Sequence, residues 1–201
     1  MRIILASQSP RRKKLLKQLG FGFEIQPSSV NESSNETNPI RLVEELALKK
    51  AKDIAQKNPN SFVIGSDTIV VHKGLILGKP ETNAEASKML NNLSDTQHQV
   101  HTGVALIQTD NNSQISKTVS FTDATTVFFH KLDQLEIDAY ISTGSPMDKA
   151  GSYGIQDDLG AVFIKRIEGD FYNVVGLPIN KVYYQLKKNF PKILEQRILK
   201  S

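Results

Sequence analysis

Phe62-Val63-Ile64-Gly65-Ser66-Asp67-Thr68-Ile69-Val70-Val71 is the stretch on which the fold turns. Apart from Asp67 its large side chains are all β-branched or aromatic, which predicts a buried strand. Lys73-Gly74 follows as a tight hairpin turn into Leu75–Leu77. An aspartate in the middle of such a strand is costly unless it is paired, hydrogen-bonded or bound to metal. Asp67 shares its face with Val63, Gly65 and Ile69, and Gly65 leaves room for something to approach. Two readings stand: a functional carboxylate, or a structural one that pins a neighbouring loop.

Working upstream, Arg2–Ala6 reads as a short buried strand, and Ser9-Pro10 opens a helix that Gly20 ends. Phe21–Gln26 predicts a second strand and Ser28–Asn38 a polar loop. Asn38-Pro39 starts the next helix, with an apolar stripe of Ile40, Val43, Ala47, Ala51 and Ile54. Downstream, Thr82-Asn83-Ala84-Glu85 is a capping box for a helix that buries Ala86, Met89, Leu90 and Leu93. Gln99–Ile107 and Ile115–Phe129 predict two long strands around an Asp110-Asn111-Asn112 turn. Asp133-Gln134-Leu135-Glu136 is a second capping box, with Leu132 and Ile137 as its hydrophobic staple and Gly144 as its stop. Ser145–Gly160 reads as a long glycine-rich loop, Ala161–Ile167 and Phe171–Val175 as a strand pair, and a helix follows Pro178. Hairpin-linked strands in the middle and helix-linked strands at the ends give a mixed α+β class of α/β protein. The expectation is a mixed, largely antiparallel central sheet flanked by helices, with two lobes and a cleft between them. One domain is expected over 1–187 and a basic helical tail over 188–201.

With 201 residues the chain can bury roughly 70% of its unfolded surface and needs no covalent staples. It has no cysteine, which removes disulfides, thiolate catalysis and zinc–thiolate sites and fits a reducing cytoplasm. No apolar run approaches the ~20 residues of a membrane helix, and Met1–Ser7 is too short a stretch for a signal peptide, so no membrane partner is expected. A net charge of +4 is mild and concentrated in Arg11–Lys17 and Lys187–Lys200, so nucleic acid is not an expected partner on charge alone.

The cations at Arg11, Arg12, Lys13 and Lys14 all fall in the first turn of a helix, where the helix end is already positive. A bound anion reverses the sign of that conflict: backbone donors, the Ser7 and Ser9 hydroxyls and two guanidiniums then converge on phosphate oxygens. The alternative is a solvated basic face. Lys50 falls on the apolar stripe of its helix, where a snorkelling edge lysine is the usual explanation. Lys79 is held between Gly78 and Pro80, and Lys149 opens a loop whose glycines allow close approach to a ligand. His72, His98, His101 and His130 show no zinc spacing, and neither G-x-S-x-G nor G-x-x-x-x-G-K-[ST] is present. A hard cation on oxygen ligands, Mg²⁺ or Mn²⁺, is the metal option that remains.

Ala6-Ser7-Gln8-Ser9-Pro10-Arg11-Arg12, Ser66-Asp67-Thr68, Gly78-Lys79-Pro80, Lys149-Ala150-Gly151-Ser152-Tyr153-Gly154-Ile155-Gln156 and Val175-Gly176-Leu177-Pro178 occur in an order that resembles the Maf family of nucleotide pyrophosphatases. The resemblance spans roughly residues 2–186. It implies a homodimer that cuts a nucleoside triphosphate between the α- and β-phosphates with the help of a divalent cation. It implies Asp67 as proton acceptor, and Ser7, Arg11, Arg12, Glu32, Lys50 and Lys79 as residues that line the site and bind substrate. On mechanistic grounds we further expect Asp67 and Glu32 as the ligands of that cation. Arg12, Thr68 and Gln156 match the branch that acts on dTTP and UTP. Gln156, with an amide donor and acceptor, suits the edge of thymine or uracil. The alternatives are a pyrophosphatase for 7-methyl-GTP or another purine-type nucleotide, and a non-enzymatic nucleic-acid-binding or cell-division regulator. The last explains the basic segments but neither Asp67 nor the Lys149–Gln156 loop.

Overall fold

The structure, a computed structural model, describes residues 1–198. Its elements are β1 (Arg2–Leu5), α1 (Pro10–Gln18), β2 (Glu24–Ile25), α2 (Pro39–Ala55), β3 (Ser61–His72), β4 (Leu75–Leu77), α3 (Asn83–Leu93), β5 (Gln97–Thr109), β6 (Ile115–Phe129), α4 (Gln134–Ser142), α5 (Asp158–Val162), β7 (Ile164–Glu168), α6 (Phe171–Val175), α7 (Ile179–Asn189) and α8 (Pro191–Ile198). The strands form a mixed sheet in the order β2-β1-β3-β5-β6-β7, with β4 paired to β3 off that path. The chain divides into two compact units: Met1–Asp67, Thr102–Asp123 and the segment from Gly176 onward make the first, Thr68–His101 and Ala124–Val175 the second.

In the first unit β1 runs parallel to both β2 and β3, with Ile4 opposite Val63. Helix α2 lies on these strands through a small-residue core of Ile4, Ala6, Ala47, Ala51, Ile54, Val63, Ala105 and Ile107. The approach is close enough to require glycine. A Cβ at Gly65 would stand 2.4 Å from the Ala47 carbonyl oxygen, and one at Gly103 2.1 Å from that of Val43. The predicted stripe of α2 needs one correction: Ile40 is exposed, while Leu46 and Lys50 join Val43, Ala47, Ala51 and Ile54 in the buried face. Ile40 sits in the first turn, one residue past Pro39, before the helix reaches the sheet. The strand expected over Phe21–Gln26 shrinks to Glu24–Ile25. Of the tail expected over 188–201, residues 191–198 form α8, and Leu199-Lys200-Ser201 lie outside the described residues.

The second unit gathers Val70, Leu90, Leu93, Val127, Phe129, Ile137, Tyr140, Tyr153 and Phe163 into its core, with α3 and α4 as the covering helices. The Lys73-Gly74 turn has positive φ at both positions, 49° and 78°, as a two-residue hairpin demands. The Asp133 capping box is complete. At Thr82 only half of the box forms: the hydroxyl accepts from Glu85 N–H, but the Glu85 carboxylate accepts from Glu81 N–H instead of Thr82 N–H. The expected loop Ser145–Gly160 contains two 3₁₀ turns, Ser145–Asp148 and Ala150–Ser152, and the start of α5. Phe171–Val175 is a helix and not the expected strand. Asp170 decides it, because its Oδ1 accepts from Tyr172 N–H in an Asx turn that starts helix α6. The partner of β7 is therefore β6, antiparallel, with Val127 opposite Ile167.

Candidate active site

The amino end of α1 is built by serines. Ser9 caps it, its hydroxyl accepting from Arg12 N–H, with Pro10 at the first helical position. Ser7 Oγ accepts from Ser9 N–H at 3.2 Å and from Arg12 Nη1 at 3.3 Å. Arg12 Nε donates to the Gly176 carbonyl at 2.9 Å, an oxygen that also accepts from Ser66 Oγ at 3.1 Å. The guanidinium is thus fixed in direction from two sides within the first unit, by Ser7 and by the Gly176 carbonyl. Of the four first-turn cations, Arg11 and Arg12 are half-buried and Lys13 and Lys14 are exposed. Burial pulls the Arg12 pKa below its ordinary value; Asp67 and Glu32 oppose that pull and Arg11 adds to it.

Asp67 is buried on β3, where its Oδ1 accepts from Lys50 Nζ at 2.7 Å. Lys50 is buried too, so it is not a snorkelling edge residue; its ammonium also pairs with Glu32 Oε2 at 2.9 Å. Glu32 stands exposed in the loop before α2, and that loop is tied to the helix by Ser28 Oγ on Asp53 and Ser34 Oγ on Glu45. Lys50 is the pivot of the cluster. One ammonium brings together a carboxylate from a strand and one from a loop more than thirty residues apart in the chain.

The same convergence tests the fit of a hard cation. Asp67 and Glu32 aim carboxylate oxygens at a single cationic point, but the described residues hold no group of three or more His, Asp or Glu placed to grip a metal. Mg²⁺ is ordinarily held by one or two carboxylates together with substrate phosphates and water. The pair fits a cation that arrives with a phosphate substrate.

Within the second unit, Thr68 is half-buried, next along β3 after Asp67, and Lys79 and Gln156 are exposed. The backbone beside Lys79 is anchored, since Gly78 O accepts from Gly151 N–H at 3.0 Å. Lys149 is buried and pairs with Asp148 at 2.6 Å and Asp157 at 2.9 Å, and it donates to the Ser145 carbonyl. Sequence reasoning brought Ser7, Arg12, Lys50, Asp67 and Glu32 forward, and the first unit does group them. It missed the roles of Ser66, the Gly176 carbonyl and Asp157. A carbonyl oxygen carries no side-chain signature, and only the Gly-Leu-Pro run pointed to that segment.

A family model described as Maf-like protein matches residues 2–189. The chain is 49% identical over 188 residues to a dTTP/UTP pyrophosphatase of Bacillus cereus, covering 93% of this chain and 95% of the relative. It is 48% identical over 187 residues to a dTTP/UTP pyrophosphatase of a Geobacillus species, covering 92% of this chain and 97% of the relative. Among solved structures it is similar to a HAM1 protein from Coxiella burnetii, with a TM-score of 0.48 and 18% identity over 67% of this chain and 75% of the other.

Proposed function

The chain belongs to the Maf-like protein family, and from that premise we propose that it is a nucleotide pyrophosphatase that hydrolyses dTTP and UTP to the monophosphate and pyrophosphate. The observation that carries the reading is the buried Asp67–Lys50 pair, joined by Glu32 from the loop before α2, in the same unit as the Ser7–Arg12 pair. Cations and a helix N-terminus suit a polyphosphate, and a buried carboxylate among them suits an attacking water.

In this mechanism the α1 backbone donors, Ser7, Arg11 and Arg12 hold the phosphate oxygens. Arg12 is already oriented by Gly176 and Ser7, so little side-chain freedom is lost on binding. Lys50 engages one oxygen of Asp67, and the other orients the water and takes its proton as the α–β anhydride opens. Asp67 and Glu32 would hold a divalent cation, Mg²⁺ or Mn²⁺, which would supply charge neutralisation to the leaving pyrophosphate. Thr68, Lys79 and Gln156 of the second unit enter as substrate-binding residues on motif order, Gln156 toward the uracil or thymine edge. The same reading makes the protein a cytoplasmic homodimer; no helix among the described residues is long and apolar enough to cross a membrane.

The test is pyrophosphate release over the common ribo- and deoxynucleoside triphosphates plus 7-methyl-GTP, with and without Mg²⁺ or Mn²⁺. Release from dTTP and UTP should exceed the rest by roughly 10²-fold in kcat/KM and depend on the cation. Equal rates across the panel, or a preference for 7-methyl-GTP, overturn the substrate assignment. Salt-sensitive DNA binding without hydrolysis overturns the enzymatic reading.

A further inference from the structure

The loop that carries Gln156 is closed on itself by a network in the second unit. Asp157 Oδ2 accepts from Ser145 Oγ at 2.9 Å and from Tyr140 OH at 3.3 Å, and it pairs with Lys149 Nζ at 2.9 Å. Tyr140 OH in turn accepts from Gly154 N–H at 3.1 Å. Burial pushes the Tyr140 pKa up to about 12, so its hydroxyl keeps the proton that it gives to Asp157. The packing leaves no slack. A Cβ at Gly154 would stand 2.3 Å from Asp157 Oδ2 and 2.8 Å from Lys149 Cε, and one at Gly160 would stand 2.5 Å from the Gly154 carbonyl. Between these residues Tyr153 is buried, with its hydroxyl 2.7 Å from His98 Nε2 and its ring edge-on to Phe129.

We propose that Asp157 and Tyr140 are positioning residues for nucleotide selectivity: they lock the backbone that presents Gln156, and Lys149 serves as their counter-charge and not as a phosphate ligand. The proposal rests on the dTTP/UTP reading and on Gln156 as the residue that meets the base. Its physical basis is the placement of the lysine. Lys149 is buried against two carboxylates and a carbonyl, so turning it toward a phosphate would strip Asp157 of its compensating charge. Gln156 is exposed yet directly bonded in the chain to the hub of the network. A donor–acceptor pair discriminates among bases only if its backbone is held still.

Asp157→Asn and Tyr140→Phe test it, each read in two ways. Hydrogen–deuterium exchange of the nucleotide-free protein should accelerate about tenfold or more in the 150–157 segment, while β1 and β3 stay protected. The UTP-to-CTP ratio of kcat/KM should fall about tenfold, through KM for UTP, with kcat kept within about threefold. The double variant should fall little further than the worse single one, because both changes break one network. Unchanged exchange, or an equal loss of kcat on every nucleotide, overturns the positioning role. Wild-type protein that releases pyrophosphate from neither UTP nor dTTP overturns the substrate reading and the selectivity claim with it, whereas the exchange comparison decides the loop lock by itself.

Discussion

Asp67 and Lys50 depend on each other, because each would be an uncompensated buried charge without its partner. Asp67→Asn keeps the shape and an acceptor toward Lys50 but removes the proposed base. Pyrophosphate release should drop by roughly 10³-fold while thermal unfolding shows a folded protein, and near-normal turnover would take Asp67 out of the mechanism. Lys50→Met should cost about 3 kcal/mol of stability in urea unfolding, since it leaves two carboxylates facing each other. Histidine governs the acid side. Burial pulls the His98 pKa down to about 3 and lowers that of His101 as well. Between about pH 3 and the ordinary value near 6.5, the unfolded chain binds a proton that native His98 refuses. Stability is therefore full above that window and falls with acidification through it, by up to about 1.4 kcal/mol per pH unit for this one group. The urea midpoint should be lower at pH 5 than at pH 7, with His98 still unprotonated by NMR at pH 5; a protonated His98 there would contradict the burial argument. That Asp67 and Lys50 were out of place could be read from their apolar neighbours, but not that they met each other.

Helix α2 is the element that delivers Lys50, and it reaches the sheet only because two strand positions lack a side chain. Gly65→Ala and Gly103→Ala would each drive a Cβ into helix backbone, which cannot swing aside as a side-chain end can. Each should cost about 2–4 kcal/mol and, by displacing Lys50, lower turnover as well. Gly74→Ala offers the control. Nothing lies within 4 Å of the added carbon, so only the strain of φ +78° remains, about 1 kcal/mol with turnover retained. Urea unfolding beside a release assay separates the two classes; equal effects at Gly65 and Gly74 would refute the close-packing account. Elements with strong caps were legible from the chain, as at Ser9, Asn38 and Asp133. Phe171–Val175 was not, because its apolar run reads as a strand and a single Asx turn overrules it.

At the scale of the whole molecule, the cation and the fold should respond separately. Asp67 and Glu32 are already compensated by Lys50, so a divalent cation bound in the proposed mechanism would serve the reaction and not hold the chain together. A chelator should abolish pyrophosphate release while shifting the thermal midpoint by no more than about 2 °C; a large fall would mean that the metal is structural. The sequence alone determined the strand around Asp67, the capped helices, the ordered motifs and through them the family, since these rest on local stereochemistry and residue order. Only the tertiary structure decided that Lys50 is buried between Asp67 and Glu32, that the Gly176 carbonyl aims Arg12, and that Asp157 holds Lys149. Those contacts join residues from different elements, and a hydrogen bond of about 3 Å is set by how helix and strand pack, which no local pattern encodes.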